Sequence, residues 1–233
     1  MVVIVTGTSS GIGKAIADFY LNNGHEVIGI GRRHVIDHAN YQAITCDLSN
    51  QSELNHLSFE FIDSDVLLIN NAGILGNVQR ISDQVELDLA TVLSVNTIAP
   101  AILMQKLAKQ CGANFQLTVV NISSGAAKRA IPSWAAYCAS KAALEMISET
   151  FYLEEQEKGR YTKVYAVAPG VVDTAMQTYI RSVHSTEFSS SANFHDYFEN
   201  GELISPEMVA EKVHKLLAIN YSGQVSYSLR NID

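Results

Sequence analysis

Short β-branched runs alternate along this chain with longer stretches of helical periodicity, the pattern of a parallel sheet joined by crossover helices. Residues 2–5 are apolar at every position, as a central strand covered on both faces requires. A glycine loop at 6–13 leads into a helix from about Gly13 to Asn22, stopped by Asn23-Gly24. Residues 26–30 read as a second strand, ending at Gly31-Arg32-Arg33, and 42–46 as a third. The about nine residues between them leave room for a helical turn or two, not for a full crossover helix. Asp47 ends the third strand, and Asn50 with Glu53 has capping-box spacing and opens a short helix. Residues 66–69 form the fourth strand, running into Asn70-Asn71-Ala72-Gly73. A helical region from about 83 to 110 follows, interrupted at Pro100. Residues 117–122 are a fifth strand, ending at Ser123-Ser124-Gly125. One long helix opens after Pro132-Ser133 and closes at Lys158-Gly159; a sixth strand, 163–168, is closed by Pro169-Gly170. Residues 206–219 are a last helix and 224–227 a last strand. Between the sixth strand and the last helix, about 171–204 is Ser- and aromatic-rich with weak periodicity, which in a compact domain marks a functional lid or a mobile insertion. With no repeat and no linker, residues 1–233 read as one domain.

Composition narrows the function classes. At 47% hydrophobic and 17% charged, with four prolines, the chain is an ordinary globule with material for a large core. A net charge of -8 and a pI near 5.3 argue against nucleic acid or an anionic membrane as the main partner. No apolar run reaches bilayer-spanning length, and Met1 to Val5 runs straight into the glycine loop as a first strand rather than a signal peptide. Cys46, Cys111 and Cys138 are scattered and odd in number, which points to a reducing compartment, the cytoplasm, without disulfides or zinc. The histidines form no metal-binding pair, and His184 and His195 read as surface residues.

Three stretches carry candidate chemistry. Tyr137 and Lys141 lie four apart in the long helix and so share a face. A free phenol titrates near 10, and a neighbouring cation pulls it toward the range where general catalysis works. Alone, such a pair is usually an exposed amphipathic edge; what lifts it is what lies elsewhere in the chain. In the first βα turn, Gly7, Gly11 and Gly13 let the backbone turn tightly and bring a pyrophosphate to a helix N-terminus. The spacing is Gly-xxx-Gly-x-Gly, not the commonest dinucleotide fingerprint. The second strand ends on Arg32-Arg33 where an NAD-preferring site places an acid, so a 2′-phosphate and NADPH are favoured over solvated loop arginines. Asp47 is placed either to accept from the adenine amine or to cap the next helix. Pro100 cannot donate to the carbonyl of Asn96, four residues back, which leaves that carbonyl free for water; a plain structural kink is the alternative.

Together these motifs resemble the classical short-chain dehydrogenases/reductases over essentially the whole length. The matching residues are Thr6-Gly7, Gly11-Ile12-Gly13, Asp47-Leu48, Asn70-Asn71-Ala72-Gly73, Asn96, Ser124, Tyr137-xxx-Lys141 and Pro169-Gly170. The resemblance implies a single doubly wound α/β Rossmann domain, a seven-stranded parallel sheet with helices on both faces. It implies an NADPH-dependent oxidoreductase of C=O and CH–OH groups, with Tyr137 as general acid. Lys141 would hold the nicotinamide ribose and lower the tyrosine pKa, and Ser124, rather than Ser123, would polarise the substrate oxygen. Asn96 would join a water relay through Lys141 to Tyr137. Ser9, Ser10 and the glycines would bind the cofactor phosphates, Asn71, Ala72 and Gly73 the adenosine side, and Val172 and Thr174 the carboxamide. A finer similarity, in 169–177, 200–205 and Ser222-Gly223, is to sepiapterin reductases and bacterial benzil reductases, which reduce vicinal dicarbonyls with NADPH. The last strand lacks the pterin-anchoring acid, with none before Asp233, which leans toward an aromatic or apolar diketone. Trp134, Met176, Tyr179, Phe188, Phe194, Tyr197 and Phe198 are candidates for the pocket wall. A 3-oxoacyl or steroid reductase is the competing enzyme reading, and a non-catalytic NADP(H) sensor the competing class. Family members pair through the helices at 83–110 and 134–158, implying a homodimer or homotetramer.

Overall fold

The strands β1 (Val2–Thr6), β2 (Glu26–Gly31), β3 (Tyr41–Thr45), β4 (Val66–Asn70), β5 (Leu117–Ile122), β6 (Lys163–Ala168) and β7 (Ser226–Ser228) alternate with helices along the chain. The computed structural model describes residues 1–59, 64–111 and 115–232, so Asp233 lies outside the described residues. Among these, the strands form one seven-stranded sheet in the order β3-β2-β1-β4-β5-β6-β7, every neighbouring pair parallel. Neighbouring side chains of a strand face opposite ways, so two cores form. Ile4, Ile28, Leu68, Val119 and Val164 pack on one face with Leu103, Met104 and Leu107 of α4 (Ala99–Cys111). Val3, Val5, Leu67, Ile69 and Val120 pack on the other. Their partners are Ile16 and Tyr20 of α1 (Gly11–Asn22) and Val209 and Val213 of α8 (Pro206–Ala218). Central strands need apolar residues at both parities, which is why residues 2–5 carry no alternation. This is the doubly wound Rossmann arrangement. The chain leaves β1 for β2 and β3, then returns to β4 on the other side of β1, and that reversal opens a crevice at the C-terminal strand ends.

Several boundaries differ from expectation. Residues 32–40 contain no helical turn; the segment is extended and closes in a turn where the Tyr41 N–H donates to the His38 carbonyl. Seven of those residues, Arg32, Arg33, Val35, Asp37, His38, Ala39 and Asn40, are exposed and Ile36 is the apolar one that packs on the core, too little for an amphipathic helix face. The helix expected from 83 begins only at α3 (Leu89–Leu93), because the Asp88 carboxylate accepts from the Asn77 N–H and holds the preceding loop instead. Pro100 does not interrupt the rod. A π-helical turn, Ser94–Ile98, precedes α4, and the Ala99 N–H donates to Ser94 O five residues back. The hydrogen-bond register thus shifts just ahead of the residue that has no N–H to give. Asn50 caps α2 (Gln51–His56) as expected, but Glu53 reaches past the cap to the Asp47 N–H. The weakly periodic stretch 171–204 holds two helices, α6 (Ala175–Ser182) and α7 (Ser191–Glu199). The last strand starts two residues later than the pattern implied.

Candidate active site

A cavity of about 810 Å³ runs along the C-terminal edge of the sheet. Each strand delivers its following residues to the wall: Gly7, Arg32 and Arg33, Asp47 and Leu48, Asn71 to Gly73, Ser124, Pro169 and Gly170, and Arg230. Helices supply the rest: Ser9, Ser10, Gly11 and Ile12 at the start of α1, Tyr137 and Lys141 from α5 (Ala135–Glu157), and Val172 and Thr174 before α6. Residues separated by most of the chain meet here because the topology collects all strand ends on one edge.

Ser124 and Tyr137 meet. Both line the cavity and the Ser124 side chain acts on the Tyr137 phenol, the serine in extended backbone at the end of β5 and the tyrosine in the first turn of α5. Ser123 faces the other way, its hydroxyl donating to Glu145 Oε1 at 2.7 Å. The strand's two-residue period thus separates the two serines, and only Ser124 can serve the phenol. Lys141 is buried; its ammonium lies 5.8 Å from the centre of the Tyr137 ring and donates to the Ile122 carbonyl at 2.7 Å. The expected lowering of the tyrosine by the lysine is not what holds here. Burial pushes the Tyr137 phenol up, and the neighbouring Ser124 side chain is what pulls it down. Burial pushes Lys141 down to about 8, since a charged amine away from water is disfavoured.

Asn96 lies in the π-helical turn, fully buried, and does not line the cavity. Its side chain accepts from the Ile74 N–H and donates to the Ile74 carbonyl, both at 2.8 Å, and to Ser140 Oγ at 2.9 Å. It pins the loop after β4 to α5. A Cβ on Gly73 would lie 3.3 Å from Asn96 Oδ1 and 3.5 Å from Lys141 Nζ, so the backbone there approaches both.

The other end of the cavity fits a dinucleotide on its own geometry. Ser10 at the start of α1 makes no side-chain cap bond and the first turn has no acid, so the helix N–H groups face the cavity without an internal acceptor. Gly7 has φ +75, and a side chain on Gly13 would collide with the Gly7 carbonyl and the Asn71 amide. Asn71 donates to the Thr6 carbonyl, locking the glycine turn to β4. Asp47 accepts from the Ser49 N–H and hydroxyl, which hold its carboxyl below the usual range, with Arg32 adding a smaller pull. It therefore orders its own turn rather than capping α2, a role that Asn50 fills.

At the tyrosine end the wall is apolar. Trp134 meets Tyr137 edge-on at 5.6 Å, Phe194 of α7 packs on Trp134 at 5.3 Å, and Tyr197 of α7 and Met176 of α6 line the same cavity. Three aromatic candidates are placed elsewhere: Phe188 stacks behind Trp134 at 5.3 Å, Tyr179 is exposed, and Phe198 lies under the Arg181 guanidinium. Leu75, Val95, Ile131, Ile180 and Gln177 join the wall without having been singled out. Leu75 follows Gly73 by two residues and Ile131 precedes Trp134 by three, spacings with no chemistry of their own to flag them. Among the described residues no cluster of metal-ligating side chains occurs.

The sequence model of the short chain dehydrogenase family matches residues 1–184. The chain is 37% identical over 224 residues to the benzil reductase ((S)-benzoin forming) of Bacillus subtilis, covering 92% of each chain. It is 36% identical over 231 residues to the protein of the same description from Bacillus cereus, covering 92% of this chain and 93% of that one. The solved structure of YIR035C, a short chain dehydrogenases/reductase from Saccharomyces cerevisiae, superposes with a TM-score of 0.79 at 29% identity, covering 99% of this chain and 96% of that one.

Proposed function

From the premise that this chain belongs to the short chain dehydrogenase family, oxidoreductases of C=O and CH–OH groups that use a nicotinamide cofactor, we propose an NADPH-dependent carbonyl reductase acting on aryl or apolar vicinal diketones. The observation that carries the reading is the convergence of Ser124, Tyr137 and Lys141 at the meeting point of an apolar wall and a dinucleotide-shaped cleft. NADPH, when bound, supplies the hydride. Tyr137, kept protonated by burial, gives its proton to the substrate oxygen as negative charge develops there. Ser124 donates to the same oxygen and polarises it. Lys141 holds the ribose hydroxyls and restores the proton to Tyr137 through ordered water at the main chain of Asn96. Arg32 and Arg33 take the 2′-phosphate just past the C-terminal end of β2, whose one carboxylate, Glu26, lies at the opposite end of the strand, and the glycine turn takes the pyrophosphate. Val172 and Thr174 orient the nicotinamide carboxamide.

The diketone reading is supported by likeness to the Bacillus benzil reductases and by Trp134, Phe194 and Tyr197 around the tyrosine. Residues 171–204, with α6 and α7, serve as the lid over that pocket. The test is NADPH oxidation screened over aryl diketones, sepiapterin and acetoacetyl thioesters, repeated with NADH. Benzil-type substrates with NADPH should lead the panel. Tyr137→Phe should bind NADPH as the wild type does while turnover falls about 1,000-fold, the worth of a positioned proton donor. Faster turnover of acetoacetyl thioesters than of any diketone would refute the substrate class. Loss of cofactor binding together with turnover would refute the role of Tyr137.

A further inference from the structure

Glu145 stands one turn beyond Lys141 and two beyond Tyr137 on α5, so the three side chains leave the helix on one face. Its carboxylate is buried, with 10% of the side chain exposed, and does not reach the cavity. A carboxylate in such a place costs stability unless every lone pair is used. Its partners bracket the catalytic loop. Oε1 accepts from the Ser123 hydroxyl at 2.7 Å, immediately before Ser124. Oε2 lies 3.6 Å from the Lys128 ammonium, at the far end of the turn Gly125–Ala127, and accepts from Ser226 on β7 at 3.3 Å. Lys128 also donates to the Ser226 hydroxyl at 2.6 Å, which closes the network. Segment 123–128 is therefore fastened at both ends to one side chain of the helix that carries the phenol.

Resting on the reaction proposed above, we infer that Glu145 is a positioning residue that sets the Ser124 hydroxyl on Tyr137. Ser124 is in extended backbone, so its side chain and that of Ser123 point to opposite faces. Anchoring the Ser123 hydroxyl on Glu145 fixes the rotation of the strand end, and that rotation aims Ser124 at the phenol. The Lys128 contact stops the other end of the loop from swinging. Glu145 touches neither substrate nor cofactor; it acts through Ser124 alone.

The experiment is a double-mutant cycle on the full-length enzyme, read as kcat and as KM for NADPH with the best diketone of the screen. Glu145→Ala should lower kcat by about 100-fold, the effect of a small misplacement of a catalytic group, and leave KM for NADPH unchanged. Glu145→Gln keeps an oxygen for Ser123 and should recover most of kcat. In a Ser124→Ala background, Glu145→Ala should cost almost nothing more, because its effect passes through the missing hydroxyl. If Glu145→Ala does not fold, Ser123→Ala removes the same hydrogen bond and takes its place in the cycle. An unchanged kcat, a rise in KM for NADPH that accounts for the loss, or a full additional loss on top of Ser124→Ala would overturn the inference. Failure of the proposed reaction is distinct, since it shows as a wild type that oxidises no NADPH with any substrate.

Discussion

Burial acts on Tyr137 and Lys141 in opposite senses, raising the phenol and lowering the amine to about 8. As pH rises through about 8, Lys141 loses its charge while Tyr137 keeps its proton. An alkaline limb of the reductase therefore belongs to the lysine. The profile of kcat/KM for NADPH reports the free enzyme, so it should fall above about pH 8, and Lys141→Met should be slow and flat through that range. A wild-type profile that stays level there, or a limb that survives in Lys141→Met, would assign the titration to another group. The residue types at this site were legible in the sequence only in combination, because a one-turn Tyr–Lys spacing and a serine at a strand end gain meaning beside the glycine turn and the motifs that carry the family resemblance. What the sequence left open was electrostatic: Ser124, not the lysine, is what lowers the phenol, and that depends on a side-chain orientation set by strand parity and by Glu145.

Elements α6 and α7 show where periodicity fails. Their inward positions are Met176, Gln177 and Ile180, then Ser191, Phe194 and Tyr197, at helical spacing but with polar Gln177 and Ser191 among them. They pack against a cavity and a small aromatic cluster rather than the sheet, so no continuous apolar stripe marks them. The π-helical turn before Pro100 was hidden for a related reason, since a proline announces a lost hydrogen bond but not how the helix absorbs it. By contrast, the central strands were legible almost to the residue, because a sheet covered on both faces favours apolar runs, whereas the edge strands β3 and β7 are polar and shifted by one or two residues. Ser133, at φ +71, ties the start of α5 to the segment between α6 and α7 by donating to the Glu187 carbonyl at 2.6 Å, beside Phe188 and its stack on Trp134. The aromatic edge of α7 is thus held over the tyrosine. Phe194→Ala should raise KM for an aryl diketone about tenfold, the worth of one aromatic contact, with kcat for a small aliphatic ketone unchanged. Equal losses on both substrates would place Phe194 in the folding core instead of the specificity wall.

On the scale of the whole chain, charge is distributed unevenly. The net is -8, yet the cavity wall holds Arg32, Arg33, Arg129, Lys141 and Arg230 against Asp47 as its one carboxylate. Such a cleft draws an anionic dinucleotide into an otherwise acidic molecule. Met146 and Leu153, a heptad apart on α5, are 62% and 60% exposed, and the pairing implied by the family resemblance would cover them. A homodimer is the expected species, and sedimentation as a monomer alone would contradict it. Because the wall is drawn from every strand end, cofactor binding is linked to the folding of the entire sheet rather than to one lobe. A ligand at 100 times its Kd stabilises the native state by about 2.7 kcal/mol. For a chain of this size that raises Tm by about 5–10 °C. NADPH should give a shift of that order, and NADH at equal concentration a smaller one, since it lacks the phosphate that the guanidinium pair is proposed to grip. In Arg32→Ala/Arg33→Ala the NADPH shift should shrink to the NADH value while the NADH shift stays put. Equal shifts from the two cofactors in the wild type would remove the 2′-phosphate from the account and leave the arginines as solvated loop residues, whatever the screen of carbonyl substrates reads.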